Sequence, residues 1–197
     1  GFSAESLKPV RERTPFVRTL NVEDSFAYKH PGTELRSDTG ELWRNWQLGV
    51  GTLDTPRSQA AYGNLGESGK AWQTKDCTFD LKTPFAVTAL SSLTNEPLAR
   101  SGKLLLTAVA RAENTGMTFN LARTKIVSQG AAPVLAEPVV GTIRLKTSQK
   151  SLTLYPTKVD GTRGEGVELP VSDGVATIEL KDGYRTVFYE IEAAGGR

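Results

Sequence analysis

The chain is punctuated from Phe16 onward. Gly, Pro, Asn or Asp interrupts β-rich runs every ~8–12 residues, the habit of strands in sandwiches and barrels. No long window carries a capped 3.6-residue apolar period, so helices contribute little. Candidate strands in the first half are Phe16–Leu20, Leu35–Arg36, Glu41–Gln47, Val50–Asp54, Ser58–Gly63, Ala71–Phe79, Ala86–Ser91 and Lys103–Ala112. Thr124–Gln129, Val140–Leu145, Leu152–Pro156, Gly166–Val171, Val175–Leu180 and Thr186–Ile191 follow. Asp173-Gly174 and Asp182-Gly183 read as tight hairpin turns and Asp160-Gly161 as a looser one. The expected fold is an all-β antiparallel sandwich, jelly-roll-like. Residues 1–14, with mixed charge and no period, read as a linker, and residues 15–197 as the sandwich. A composition shift at residues 129–139 (Gly130-Ala131-Ala132, Pro133, Pro138) allows a sub-boundary near 130–139. The strands beyond it form either the second half of one sandwich or a small β-meander packed on the first.

Leu104–Ala112 contains good helix formers, but Ser101-Gly102 before it and Asn114-Thr115-Gly116 after it favour a central strand. Its two apolar faces call for cover on both sides. In the stretch 37–63, Ser37-Asp38-Thr39-Gly40 is a turn, because Asp bonds its own backbone and Gly accepts positive φ. Leu42, Arg44, Trp46 and Leu48 then share one strand face, with Trp43, Asn45 and Gln47 on the other. Trp46, in register with Leu42 and Leu48, reads as core.

Composition excludes several classes. Hydrophobic content of 38% and charged content of 23% are those of an ordinary globular domain. A net charge of +2 with no Lys/Arg run gives no footprint for nucleic acid or an anionic membrane. There is no apolar stretch near 18 residues and no charged-then-apolar leader in the sequence shown. Opening at Gly1, with Met117 as its single methionine, the sequence reads as a processed chain or a piece of a longer one.

Metal and nucleophile chemistry find few residues. One His (His30, in a loop) and one Cys (Cys77) cannot build a His/Cys zinc site, and there is no G-x-S-x-G elbow or phosphate loop. Cys77 reads as a small core residue. Glu34, Asp38, Glu41 and Asp54 lie close in sequence, and a glycosidase needs two carboxylates at a defined separation. They read more simply as turn and ion-pair residues. Asp24, Asp38 and Asp54 offer oxygens for a structural Ca²⁺, but no loop has regular ligand spacing. No catalytic residue is assigned.

Aromatics are the better lead. Trp43, Tyr62 and Trp72 fall in segments rich in Asn, Gln, Arg and Ser. A sugar ring packs its C–H face on an indole while its hydroxyls bond to polar side chains, so these three, with Arg57 and Gln59 beside Pro56, are the candidate carbohydrate-binding residues.

The segments S-D-T-G-E-L (37–42), D-T-P-R-S-Q-A (54–60), T-P-F-A-V-T-A-L-S-S-L (83–93), L-L-L-T-A-V-A-R-A-E-N-T-G-M (104–117) and A-P-V-L-A-E-P-V-V-G-T-I (132–143) carry a resemblance. They resemble the C-terminal β-sandwich region that follows the (β/α)₈ catalytic barrel of large bacterial glycoside hydrolases. The resemblance spans roughly residues 35–145. It implies a secreted protein, a polysaccharide such as a β-glucan or a related plant or microbial glycan, and a parent catalytic domain as partner. It transfers no catalytic residue.

Two functions are therefore expected. One is a non-catalytic carbohydrate-binding module that holds its enzyme on a glycan through surface aromatics. The other is a structural sandwich that packs on the barrel. Aromatics gathered on one exposed platform favour the first; a large exposed apolar patch favours the second.

Overall fold

The computed structural model describes residues 32–194. Those from Glu34 onward belong to one compact unit. The linker 1–14, the strand Phe16–Leu20, Asp24 and His30 lie outside the described residues. In this unit the architecture is nearly all β, and every pairing within its two large sheets is antiparallel.

In chain order, β1 (Glu34–Arg36), β2 (Leu42–Asn45), β3 (Val50–Asp54) and β4 (Ser58–Gly63) form a meander, followed by the short β5 (Trp72–Gln73) and by β6 (Cys77–Leu81), β7 (Ala86–Ser92) and β8 (Lys103–Val109). The strands β9 (Ala112–Thr115), β10 (Thr118–Phe119), β11 (Ile126–Ser128) and β12 (Ala131–Ala136) come next. The chain finishes with β13 (Gly141–Lys146), β14 (Leu152–Pro156), β15 (Val167–Leu169), β16 (Val171–Ser172), β17 (Val175–Leu180) and β18 (Phe188–Ala193). A nine-stranded sheet in the order β1-β2-β3-β4-β7-β8-β18-β14-β15 faces a five-stranded sheet in the order β16-β17-β13-β6-β5. Strands from before and after residues 130–139 are thus woven into both sheets: β18 pairs with β8 and β13 with β6.

The period-2 alternation places the core. Cys77, Phe79 and Leu81 on β6, Ile143 and Leu145 on β13, and Ala176, Ile178 and Leu180 on β17 face inward from the small sheet. Ala61, Leu90, Leu104, Leu106, Leu152, Leu154, Tyr189 and Ile191 meet them from the large one. Burying each large apolar side chain is worth about 1.5–3 kcal/mol, so this inter-layer core is what holds the sandwich closed. Burial pushes the Cys77 thiol up to about 12, as suits a core residue, with the Asp76 charge acting in the same direction.

Several elements differ from the expected ones. Ala71–Phe79 is not one strand. Thr74 Oγ1 accepts from the Cys77 N–H at 3.2 Å and folds residues 74–76 into a turn, so β5 and β6 form a hairpin pairing Trp72 with Phe79. Trp46 is not core: β2 ends at Asn45, and the half-buried Trp46 opens the turn 46–49. Asp173-Gly174 is the expected two-residue hairpin turn, with φ of 51° and 73°. Asp182-Gly183 is not a hairpin; it belongs to a short 3₁₀ turn that carries the chain from β17 in one sheet to β18 in the other. The strand β8 has the expected place next to the sheet centre, but its second face is not covered among the described residues, since Val109 stands 41% exposed.

Candidate functional site

The large sheet has more strands than the small one, and at one end β1, β2 and β3 lie beside the edge strand β5. Arg36, Trp43 and Thr52 are register partners in a row across β1, β2 and β3, on the face that turns inward. Trp72 on β5 packs on this row, its ring centroid 5.7 Å from that of Trp43 with a 33° tilt. Between them lies a cleft of about 240 Å3, walled by these four residues with Gly40, Glu41, Asp54 and Gln73.

Both indoles are held from behind. Trp43 Nε1 donates to Glu34 Oε2 at 3.0 Å. The other oxygen of Glu34 accepts from Asn45 Nδ2 at 3.4 Å, and Asn45 Oδ1 takes the Leu48 N–H of the next turn at 2.9 Å. Trp72 is positioned by Gln59, which is fully buried. Its Oε1 accepts from Thr74 Oγ1 at 2.7 Å and from the Asp76 N–H at 2.9 Å, while Nε2 donates to Asp76 Oδ2 at 2.8 Å. Gln59 therefore clamps the β5–β6 turn onto the large sheet and has no capacity left for a ligand. Asp54 Oδ2 adds a second tie, accepting from the Lys75 N–H at 2.8 Å.

Of the five residues expected to bind a sugar, the structure brings two together, Trp43 and Trp72. Tyr62 lies on the opposite face of the large sheet. It is the register partner of Gly51, where a Cβ would come within 2.3 Å of the tyrosine ring. Glycine there lets the ring lie flat on the sheet. Arg57 is exposed in the β3–β4 turn, and its carbonyl accepts from the Ser92 N–H at 2.8 Å. Sequence reasoning missed Arg36, Thr52 and Gln73. The signal for Arg36 and Thr52 is register: hairpin pairing across the 37–40 turn puts Arg36 opposite Trp43, and across the 46–49 turn Trp43 opposite Thr52.

The polar side chains of the cleft are unengaged. Among the described residues, those of Arg36, Glu41, Thr52 and Gln73 make no hydrogen bond or ion pair, and the buried indole N–H of Trp72 has no partner. Of the four carboxylates singled out above, Glu34 holds Trp43, Asp38 caps the Thr39 N–H at 2.9 Å, and Glu41 and Asp54 line the cleft. Among the described residues no three His, Cys, Asp or Glu side chains converge in a way that could hold a metal ion.

The second surface is the segment 111–137, which leaves the end of β8 as a two-stranded arm. β9 pairs with β12, and further out β10 pairs with β11. Every residue from Leu121 to Ala136 is exposed, including Leu121, Ile126, Val127, Val134 and Leu135. Residues 126–136 carry no charge. Four of the five charges of the segment are paired with one another: Arg111 Nε reaches Glu137 at 2.8 Å, and Arg123 pairs with Glu113, while the exposed Lys125 makes no ion pair among the described residues. At the base of the arm, Val109 stands opposite Val87 on the outer face of the large sheet, near the exposed Phe188 of the adjoining β18.

Fold and surface together define a class: an antiparallel β-sandwich with a small amphipathic cleft at one end and an apolar arm. Comparison with family models, with curated proteins and with solved structures gave no match.

Proposed function

We propose that the chain is an accessory β-sandwich of a secreted glycoside hydrolase, packing on the catalytic domain and stabilising it, with the arm 111–137 as its docking element. The observation that carries this reading is the arm. Sixteen consecutive exposed residues include five large apolar side chains, and among the charges of the segment only Lys125 is left without an ion pair. Exposed apolar surface of this extent is a contact surface in waiting, because it gains about 25 cal/mol per Å2 when covered. The catalytic domain as the occupant rests on the resemblance of residues 35–145.

Calorimetry of the parent enzyme tests this. With Val127→Lys and Leu135→Glu combined, the joint melting of sandwich and catalytic domain should split into two transitions, the catalytic one at lower temperature. Identical melting of variant and parent enzyme would overturn the proposal.

A second reading, a carbohydrate-binding module, is favoured by a separate observation: the open polar groups around the Trp43–Trp72 pair. The two readings use different surfaces and are compatible. Retardation of the chain in native gels containing a soluble polysaccharide, lost in Thr52→Val, tests the second.

A further inference from the structure

We infer that the Trp43–Trp72 cleft takes a single ring at the end of a neutral glycan; this rests on the carbohydrate-binding reading and specifies it. Three features of the cleft point there.

The first is size. Along the strands the floor runs from the row of Trp43 and Thr52 to that of Glu41 and Asp54, two residues further on, a span of about 7 Å. Across the strands, Arg36 to Thr52 covers two inter-strand spacings, about 10 Å. That floor seats one pyranose. The cavity of about 240 Å3 also lies below the ~300–1,000 Å3 of sites that take larger ligands. Gly40, in the turn between β1 and β2, lines the cleft beside Glu41. A floor of one ring's length leaves no room for the consecutive rings that the interior of a chain would lay along it.

The second is charge. Glu41 and Asp54 line the cleft against one cation, Arg36, and Glu34 sits behind Trp43. Such a wall disfavours the carboxylates of uronic acids and the sulfates of anionic glycans, since like charges brought into a partly desolvated site repel. It suits neutral hydroxyls, which donate to Glu41 and to the free oxygen of Asp54.

The third is the pattern of open hydrogen-bonding groups. Arg36 offers donors, Glu41 offers acceptors, and Thr52 and Gln73 offer both, around two apolar ring faces. A sugar ring is the small molecule with that combination: hydroxyls that both donate and accept around its rim, and C–H groups on its faces.

The test is titration calorimetry of the full chain with gluco-, manno-, galacto- and xylo-oligosaccharides of one to six units, beside oligogalacturonides. The expected result is one series whose affinity is reached by the mono- or disaccharide and stays within about twofold up to six units, one oligosaccharide per chain. Oligogalacturonides should bind at least tenfold more weakly. Thr52→Val, nearly isosteric, should lower the affinity several-fold with an unchanged circular dichroism spectrum; Gln73→Ala is the second check. Affinity that climbs with each added unit would overturn end recognition while leaving carbohydrate binding intact. Tight binding of oligogalacturonides would overturn the neutral-ligand assignment. No heat with any of the sugars would overturn this inference together with the reading beneath it.

Discussion

The cleft and the arm are two exposed parts of one sandwich, and they treat polar groups in opposite ways. In the cleft, Arg36, Glu41, Thr52 and Gln73 are left open around two indoles. On the arm, polar groups close on one another. Arg111 pairs with Glu137, Glu113 with Arg123, Asn120 with Thr124, Asn114 with the Gln129 carbonyl and Thr115 with the Pro133 carbonyl. The large apolar side chains that the arm leaves uncovered are Leu, Ile and Val, with Lys125 as its one unpaired charge. An open polar group is solvated and gains from a ligand only if its geometry is matched, so the cleft reads as a site for a small amphipathic molecule. An apolar strip most of whose polar neighbours are already paired needs mainly shape, and protein surfaces supply that.

The comparison breaks most visibly at Gln59. Its amide bridges the β5–β6 turn to the large sheet from a fully buried position, so Gln59→Ala strands the Asp76 carboxylate and the Asp76 N–H together. A loss of about 2–3 kcal/mol is expected from urea unfolding, with red-shifted tryptophan fluorescence as Trp72 leaves Trp43. The arm pairs elsewhere and should keep its protease sensitivity. A stability change under ~0.5 kcal/mol would mean that the clamp does not hold the cleft.

That dependence also explains what was legible in the sequence. The strand pattern, the turns at Gly40 and Asp173-Gly174, and the core role of Cys77 follow from local chemistry: period-2 alternation, positive φ, and a small apolar residue between polar ones. The role of Gln59 does not, because its partners Thr74 and Asp76 are brought to it by the packing of two sheets. Tyr62 and Trp43 looked alike in composition and separate only by register. Trp43 faces inward beside Thr52, whereas Tyr62 lies over Gly51 on the other side. The arm was hidden for a further reason. Pro133 and the Gly130-Ala131-Ala132 run read as a boundary, and a strand that pairs only with β9 carries no buried face to give it a period.

A third surface sharpens the contrast. On the large sheet, Arg163 bridges Glu190 and Glu192, with its guanidinium over the Tyr155 ring at 4.8 Å. The hydrogen bonds from Arg163 hold the Glu192 carboxyl down at about 2. A carboxyl depressed in the folded state stabilises the fold above its unfolded value near 4.5 and loses that contribution as pH falls towards 2. Arg163→Met should cost about 1 kcal/mol at neutral pH, and the gap from the parent chain should close below pH ~2. An acid-unfolding titration checks this. A gap that stays constant down to pH ~2 would mean that packing on Tyr155, not the carboxylates, is what Arg163 supplies.

The smallest expected effect is the one that decides what the arm is for. Val127→Lys with Leu135→Glu, made in the isolated chain, should change unfolding free energy by less than ~0.5 kcal/mol, because neither side chain touches the core. Cys77 provides the check on the fold. Its thiol, buried and pushed up to about 12, should stay unreactive towards a disulfide reagent at pH 8 in both proteins until they unfold. What should change is self-association: the parent chain should show concentration-dependent sedimentation and the charged variant should not. If the double variant instead lowers stability by 1 kcal/mol or more, the arm is packing on its own sandwich. In that case its exposed apolar residues do not serve a partner. If stability and sedimentation both stay unchanged, the strip is too sparse to bury anything, and the cleft is left as the functional surface of the chain.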